Sequence, residues 1–180
     1  MIEIQSVMSR RALELLSLPP GSPAHILDIG CGSGLSGEVL SESGYSWTGV
    51  DIAPAMLGVA VKREVEGDLL CADIGQGLFF RPNSFDGAIS ISVIQWLCNA
   101  DKREHVPQIR LKKFFQSLYN CLKRGSRSAC MITRMSLAMS ELHVWCRIWS
   151  DCLVRCVLLP LFQCRVPVLP REPCPDDDDH

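Results

Sequence analysis

Three glycines at alternate positions have the spacing of a ligand-binding loop in this chain of 180 residues. Gly30, Gly32 and Gly34 directly follow a short apolar stretch, residues 25–29. Glycine allows a tight backbone turn and lets a ligand approach without a Cβ in the way. A helix that begins after such a loop directs free amide groups at a polar group of the ligand. The glycines alone are also compatible with a strand-to-helix turn that binds nothing.

Three aspartates lie at or near the ends of successive apolar stretches. Asp28 precedes the glycine loop, while Asp51 and Asp73 end the second and third stretches. Ligands of open α/β sheets bind outside the carboxyl ends of the strands. A carboxylate at Asp51 can accept hydrogen bonds from both hydroxyls of a ribose, and Asp73 or its neighbouring amide can bind an adenine amine. Each acid alone is also typical of a solvated strand end or a helix cap, but together they predict a nucleoside-containing ligand.

A second reading of the glycines must be considered. Gly32, Gly34 and Gly37 fit the GxGxxG fingerprint of dinucleotide-binding folds, in which Asp51 would bind the ribose. This reading corresponds to an NAD-dependent reductase. Asp28 argues against it, because a carboxylate beside the loop repels a pyrophosphate. S-adenosylmethionine has no phosphate and carries a sulfonium and an ammonium group, so the acid favours this methyl donor.

Strand-like and helix-like segments that alternate along the chain must position these residues. Hydrophobic periodicity and turn residues predict helices over residues 4–18, 34–43, 54–63 and 108–122, the last ended by Gly125. Strands are predicted over residues 25–29, 45–51, 66–73, 85–92 and 127–133. Alternation of this kind predicts an α/β fold in which a parallel sheet is flanked by helices, as in Rossmann-like domains.

Composition limits the class of protein. Apolar residues make up 47% and charged residues 21% of the chain, and the formal net charge is −2. These values predict one folded domain and argue against a general polycation. No targeting signal and no membrane-spanning segment is predicted, so the expected location is inside the cell. The ten cysteines include no CxxC pair, so no metal site is predicted.

Three segments resemble the first, second and fourth motifs of class I S-adenosylmethionine-dependent methyltransferases. They are residues 26–34 (ILDIGCGSG), 49–52 (GVDI) and 85–92 (FDGAISIS). Four more resemble the eukaryotic small-subunit ribosomal RNA guanine-N(7) methyltransferases in particular. They are residues 11–16 (RALELL), 51–57 (DIAPAML), 66–70 (EGDLL) and 95–100 (QWLCNA). The resemblance covers residues 1–128.

The resemblance implies methyl transfer to N(7) of a guanine in small-subunit ribosomal RNA, with a role in ribosome biogenesis. It also implies a small zinc-binding activator subunit, contact with the pre-ribosomal small subunit, and a location in the nucleus and cytoplasm. Together with the loop and the strand ends, it predicts one site for S-adenosylmethionine. Its residues are Asp28, Gly30, Cys31, Gly32, Gly34, Asp51, Ile52, Met56, Asp73, Ile74 and Ser90.

Residues 92–110 are expected to form the acceptor side of this site. Trp96 can stack on the guanine while Gln95 or Asn99 reads its edge, although Trp96 also fits a core position that caps the sheet. No acid or base is assigned a catalytic role, because N(7) of guanine already has a free lone pair and positioning suffices. Five basic residues either contact phosphates or form a solvated face. They are Lys102, Arg103, Arg110, Lys112 and Lys113.

The chain departs from the family pattern after residue 128. We therefore divide it into a methyltransferase core, residues 1–128, and a divergent tail, residues 129–180. The tail is rich in cysteine and proline and ends in four aspartates, which is typical of an altered reading frame or alternative splicing. We expect a helix over residues 135–157, disorder beyond it, and no closing strands after the fifth. A catalytically impaired isoform that keeps the fold core and partner binding is the alternative.

Overall fold

The computed structural model describes residues 2–99, 106–132 and 155–160. Four helices and six strands alternate along these residues. The helices are α1 (Ile2–Leu16), α2 (Leu35–Glu42), α3 (Pro54–Lys62) and α4 (Pro107–Cys121). The strands are β1 (His25–Ile29), β2 (Ser46–Asp51), β3 (Asp68–Cys71), β4 (Phe85–Ile91), β5 (Leu122–Ile132) and β6 (Arg155–Pro160). Two short 3-10 helices, Ile74–Gln76 and Ile94–Cys98, follow β3 and β4.

The six strands form one parallel sheet in the order β3-β2-β1-β4-β5-β6. Strand β1 pairs with β2 on one side and with β4 on the other. The chain therefore leaves the carboxyl ends of β1 and β4 in opposite directions, which opens a crevice between them. The glycine loop follows β1 directly and lies at this crevice, as the sequence predicts for a ligand site.

Two apolar layers cover the two faces of the sheet, and the side chains of β1 alternate between them. Ile26 packs in the layer that contains α1 and α2, whereas Leu27 and Ile29 pack in the layer that contains α4. A strand covered on both faces reads as a nearly continuous apolar run, and β1 has this pattern. By the same alternation Asp28 points toward α2. The predicted parallel α/β fold is confirmed.

The transition from α4 to β5 differs from the prediction. The helix ends at Cys121 and the strand begins at once with Leu122, which is buried and pairs with Phe85. The next paired residues are Arg127 and Gly87, so the chain between them bulges out of the ladder. Gly125 lies in this bulge with a φ of 81°. It does not end the helix as predicted, because burial of Leu122 in the sheet ends the helix earlier.

The carboxyl-terminal part of the sheet also differs from the prediction. Strand β5 continues through the domain boundary that was placed at residue 128. All six residues of β6 pair with residues 127–132 of β5. The expectation that no strand follows the fifth is therefore wrong for this segment. Its residues 155–157 belong to a strand, not to the predicted helix. Residues 158–160 also belong to this strand, so the predicted disorder is wrong for them, because their backbone pairs with β5. The rest of the predicted helix and of the segment predicted to be disordered lies outside the described residues. Within the described part of the chain, no helix has the length and apolarity needed to span a bilayer.

Candidate functional site

The loop after β1 is anchored to β2 by its own backbone. The amide groups of Gly30 and Cys31 both donate to the carbonyl oxygen of Val50, at 2.7 and 3.2 Å. Gly30 has a φ of 77°, and a Cβ added to it would lie 2.1 Å from Val93. No other residue fits this position without displacing Val93. The first glycine therefore serves the turn and the packing beneath it.

The space around Gly32 is different. A Cβ added there meets only Met56 Cε at 3.6 Å and Asp51 Oδ2 at 4.0 Å, which are ordinary contact distances. At Gly34 the added Cβ would lie 2.6 Å from Val65, so that glycine is required by packing. Gly32 thus faces the open side of the loop, where a ligand can approach the backbone.

Asp51 joins the glycine loop to the loop after β2. Its Oδ2 accepts a hydrogen bond from the Gly32 amide at 2.9 Å, and its Oδ1 accepts one from the Ala53 amide at 2.8 Å. The carboxylate is half-buried, and each oxygen has a further lone pair. Asp51 is therefore held in one orientation and can still accept hydrogen bonds from the hydroxyls of a ribose.

Asp28 lies near the end of β1 as predicted, but its carboxyl group is buried. Its side chain points toward α2, is 1% exposed, and accepts a 2.6 Å hydrogen bond from Ser36. Burial raises the pKa of Asp28 to about 7, and the nearby charge of Asp51 also raises it. The carboxyl group lies behind the loop and orients the first turn of α2 through Ser36. The charge argument for a cationic ligand requires a fully ionised carboxylate, and a buried group with a pKa of about 7 does not provide one.

Five other predicted donor-site residues fall into two groups, buried and exposed. The side chains of Cys31, Ile74 and Ser90 are buried, so their contribution to a ligand would come from the backbone. Burial raises the pKa of the Cys31 thiol to about 12, which keeps it protonated and unreactive. By contrast, Ile52 is 64% and Met56 43% exposed. These two apolar side chains are available to cover the flat face of a base.

Asp73 is bound by a residue for which the sequence predicted another role. Arg110 donates to both of its carboxylate oxygens, at 2.8 and 3.0 Å, and the Gly75 amide donates to Oδ1 at 2.9 Å. Arg110 is 8% exposed, so the predicted phosphate contact is wrong for it. Its spacing of four residues from Phe114, a core residue of α4, was the signal that could have revealed an inward-facing arginine.

The acceptor side begins where β4 ends. In the 3-10 helix Ile94–Cys98 the side chains of Ile94 and Leu97 are buried, which turns Trp96 outward. Trp96 is 56% exposed, and its indole N–H donates to the Ser92 carbonyl oxygen at 3.1 Å. The alternative interpretation of Trp96 as a core residue is therefore wrong. Gln95 is half-buried.

The other predicted acceptor residues are only partly described. Asn99, Lys112 and Lys113 are exposed, and Lys113 lies 3.5 Å from the side-chain oxygen of Gln76. Lys102 and Arg103 lie outside the described residues. Within the described ranges, no group of His, Cys, Asp and Glu side chains has the arrangement of a metal site.

The described residues fit S-adenosylmethionine. Asp51 is oriented to accept hydrogen bonds from a ribose, Ile52 and Met56 offer apolar surface beside it, and Gly32 leaves the loop open. Register pairing of Ile29 with Val50 and with Ser90 brings the carboxyl ends of β1, β2 and β4 together. The predicted residues on these strands and their loops thus lie at the carboxyl end of the sheet.

Comparison with known proteins agrees with this geometry. Residues 27–130 match the family model described as "Methyltransferase domain". An 18S rRNA (guanine-N(7))-methyltransferase of Arabidopsis thaliana is 61% identical over 142 residues, which cover 78% of this chain and 49% of that protein. An enzyme of the same name from Mus musculus is 60% identical over 132 residues, which cover 73% of this chain and 47% of the relative. The chain spans about half the length of these curated relatives.

Solved structures share the fold. A protein of Methanococcus maripaludis superposes with a TM-score of 0.57 at 16% identity, over 83% of this chain and 67% of that one. An N-methyltransferase of Haemonchus contortus, determined with S-adenosylhomocysteine, gives a TM-score of 0.56 at 25% identity, over 77% of this chain and 32% of that one. The prediction of S-adenosylmethionine as cofactor is confirmed, and the dinucleotide interpretation finds no support. The chain belongs to the methyltransferase domain family.

Proposed function

We propose that this chain takes part in methyl transfer from S-adenosylmethionine to N(7) of a guanine in small-subunit ribosomal RNA. The observation that carries the proposal is the 61% identity to the 18S rRNA (guanine-N(7))-methyltransferase of Arabidopsis thaliana, across 78% of this chain. The exposed Trp96 directly after β4 supports it, because an outward indole beside the donor site provides a stacking surface for an unpaired base.

The chemistry requires positioning and no strong base. When bound, S-adenosylmethionine supplies an electrophilic methyl group. Asp51 would orient the donor through its ribose, and Ile52 and Met56 would cover the adenine. Asp73, held by Arg110, follows β3, the strand that pairs with β2. Trp96 would stack on the guanine and hold N(7), with its free lone pair, toward the donor. The methyl group would then pass from sulfur to nitrogen, with S-adenosylhomocysteine as the leaving product. Fixed orientation of two reactants can supply several kcal/mol of the barrier reduction, roughly 7 or more.

A small zinc-binding activator subunit is the partner that we propose for the outer edge of β3. Within the described sheet β3 is an edge strand, and its Leu70 is 40% exposed. Val59 and Val61 on the neighbouring helix α3 are 43% and 65% exposed. Strand edges and apolar side chains of this kind favour association with a partner protein. The complex would act on the pre-ribosomal small subunit in the nucleus and cytoplasm.

The binding of labelled S-adenosylmethionine tests the proposal. The full chain is co-expressed with the activator subunit, and Asp51→Ala is compared with Glu66→Ala, which removes an exposed acid before β3. We expect saturable binding by the wild type and by Glu66→Ala, and at least about tenfold weaker binding by Asp51→Ala, since charge-assisted hydrogen bonds are lost. Methyl incorporation into pre-ribosomal RNA is then measured. Absence of saturable binding by the wild type would refute the enzyme assignment, and equal binding by Asp51→Ala would refute the ribose assignment.

A further inference from the structure

A basic turn lies at the end of the sheet where β4 begins, opposite to the end that carries the glycine loop. We use this name for residues 123–127, of which residues 123–126 bulge from the start of β5 and Arg127 resumes the pairing with β4. Lys123, Arg124 and Gly125 are exposed at its tip. Strand β4 separates the turn from the donor site by about 20 Å, at roughly 3.3 Å per residue. A ligand bound at the turn would therefore not occupy the donor site.

The positive charge of the basic turn and its surroundings is only partly neutralised by acidic side chains. Lys123, Arg124 and Arg127 belong to the turn, and Arg81 is exposed in the loop before β4. Among the described residues that line the two clefts beside the turn, Asp86 is the single acid. It forms an ion pair with Lys123 at 2.7 Å. Excess charge of one sign at a concave surface attracts a polyanion.

The clefts that flank the turn also contain groups that suit nucleobases. One cleft, about 210 Å³ in volume, is lined by Asn83, Tyr119 and Asn120 together with Lys123 and Arg124. A second cleft of about 400 Å³ lies on the other side of the turn. Cations beside an aromatic ring and side-chain amides are typical of surfaces that bind single-stranded RNA, in which phosphates pair with cations and bases stack or form hydrogen bonds.

We propose that the basic turn, together with Arg81, binds the phosphate backbone of a single-stranded RNA segment at a site remote from the methyl donor. The inference rests on the proposed function for its RNA substrate and adds a second contact to it. Cations alone would fit an acidic peptide or an anionic membrane equally well. The interleaved Asn83, Tyr119 and Asn120 favour RNA, because neither alternative has bases to occupy a cleft with a ring and two amides.

The test measures RNA affinity as a function of salt. The full chain is titrated into a fluorescent single-stranded RNA oligonucleotide over a range of salt concentrations, with Arg81→Ala/Arg124→Ala compared with the wild type. A control variant, Arg10→Ala/Lys62→Ala, removes the same charge from exposed positions on α1 and α3. Each phosphate contact that is lost should reduce the slope of log affinity against log salt by about 0.7. We therefore expect a slope reduced by about 1.4 and binding weakened roughly tenfold for the turn variant, with little change for the control.

Two further measurements separate this inference from the proposed function. Binding of S-adenosylmethionine should be equal in all three proteins, because the turn is remote from the donor site. Failure of methyl incorporation into ribosomal RNA with the salt slopes as expected would contradict the proposed function and leave the basic turn standing. An unchanged slope in the turn variant would overturn the basic turn as an RNA site. The inference would also be overturned if polyglutamate or anionic vesicles, at matched charge, competed for the wild-type protein as well as the RNA does.

Discussion

The ion pair between Asp73 and Arg110 should stabilise the fold more than any exposed pair. The side chains are 25% and 10% exposed, and two hydrogen bonds join them. Removal of one partner from a buried pair typically costs about 3–5 kcal/mol, because the other charge stays buried. Asp73 is partly hydrated, so we expect about 3 kcal/mol of destabilisation for Asp73→Ala. For Arg110→Met we expect about 1.5 kcal/mol, since the carboxylate retains the Gly75 amide and some water.

The double variant gives the decisive number. Asp73→Ala/Arg110→Met leaves no buried charge and should lose about 2 kcal/mol, which is less than the sum of the single losses, so the coupling is about 2.5 kcal/mol. Urea unfolding of all four proteins measures these free energies, provided that the slopes of the transitions agree. The exposed pair between Arg10 and Glu42 is the control, and a coupling below about 1 kcal/mol is expected there. A coupling below about 1 kcal/mol between Asp73 and Arg110 would refute the reasoning, because it would equal that of an exposed pair.

Three further predictions concern the loop, the buried acid and the acceptor side. Gly30→Ala should destabilise the protein by about 2 kcal/mol or more, measured by urea unfolding, because its φ is 77° and Val93 blocks the Cβ. Gly32→Ala meets no side-chain clash, but a φ of 53° still strains an alanine by about 1 kcal/mol. It should therefore destabilise the protein less than Gly30→Ala and should weaken binding of S-adenosylmethionine. The pKa of Asp28 is raised to about 7 in the folded state, so its stabilising contribution is complete below about pH 4 and lost as pH rises through 7. Asp28→Asn should therefore flatten the fall of stability between pH 4 and 7. Trp96→Ala should reduce methyl transfer to RNA with little effect on the melting temperature, because Trp96 is exposed.

Each of these predictions has a result that would contradict it. Equal stability losses for Gly30→Ala and Gly32→Ala would show that Val93 gives way. A pH profile of stability unaltered by Asp28→Asn would mean that the carboxyl group is hydrated. Trp96→Phe is the matched control for the aromatic surface, and it should retain most of the activity. Loss of thermal stability in Trp96→Ala would indicate that the indole packs within the protein.

Local pattern predicted the parts of the site that depend on backbone geometry. Strand β1 has the predicted bounds, His25–Ile29, because a short apolar run ended by a glycine leaves few other conformations. Asp51 ends β2 as predicted, since each strand terminates where the polar loop begins. The position of Asp51 beside Gly32 then follows from parallel pairing of β1 with β2.

The misplaced residues were charged groups whose environment is made by distant segments. Asp28 lies in an apolar stretch and Arg110 lies close to Lys112 and Lys113, and a linear pattern treats such charged residues as solvent-facing. Helix α2 covers the first, and Asp73 pairs with the second across 37 residues of chain. The spacing of Arg110 from Phe114 could have indicated an inward-facing side chain. Hydrophobic periodicity does not show which partner such a side chain meets, or which helix covers which face of the sheet.

By itself the sequence determined the alternation of strands and helices, the loop of Gly30, Gly32 and Gly34, and the resemblance to a methyltransferase family. These follow from side-chain periodicity and from conformations that only glycine adopts easily. Only the tertiary structure decided that Asp28 is buried, that Arg110 holds Asp73, that Trp96 is exposed, and that β6 extends the sheet. The physical reason is that burial and ion pairing are properties of the packed sheet and helices, which bring together residues far apart in the chain.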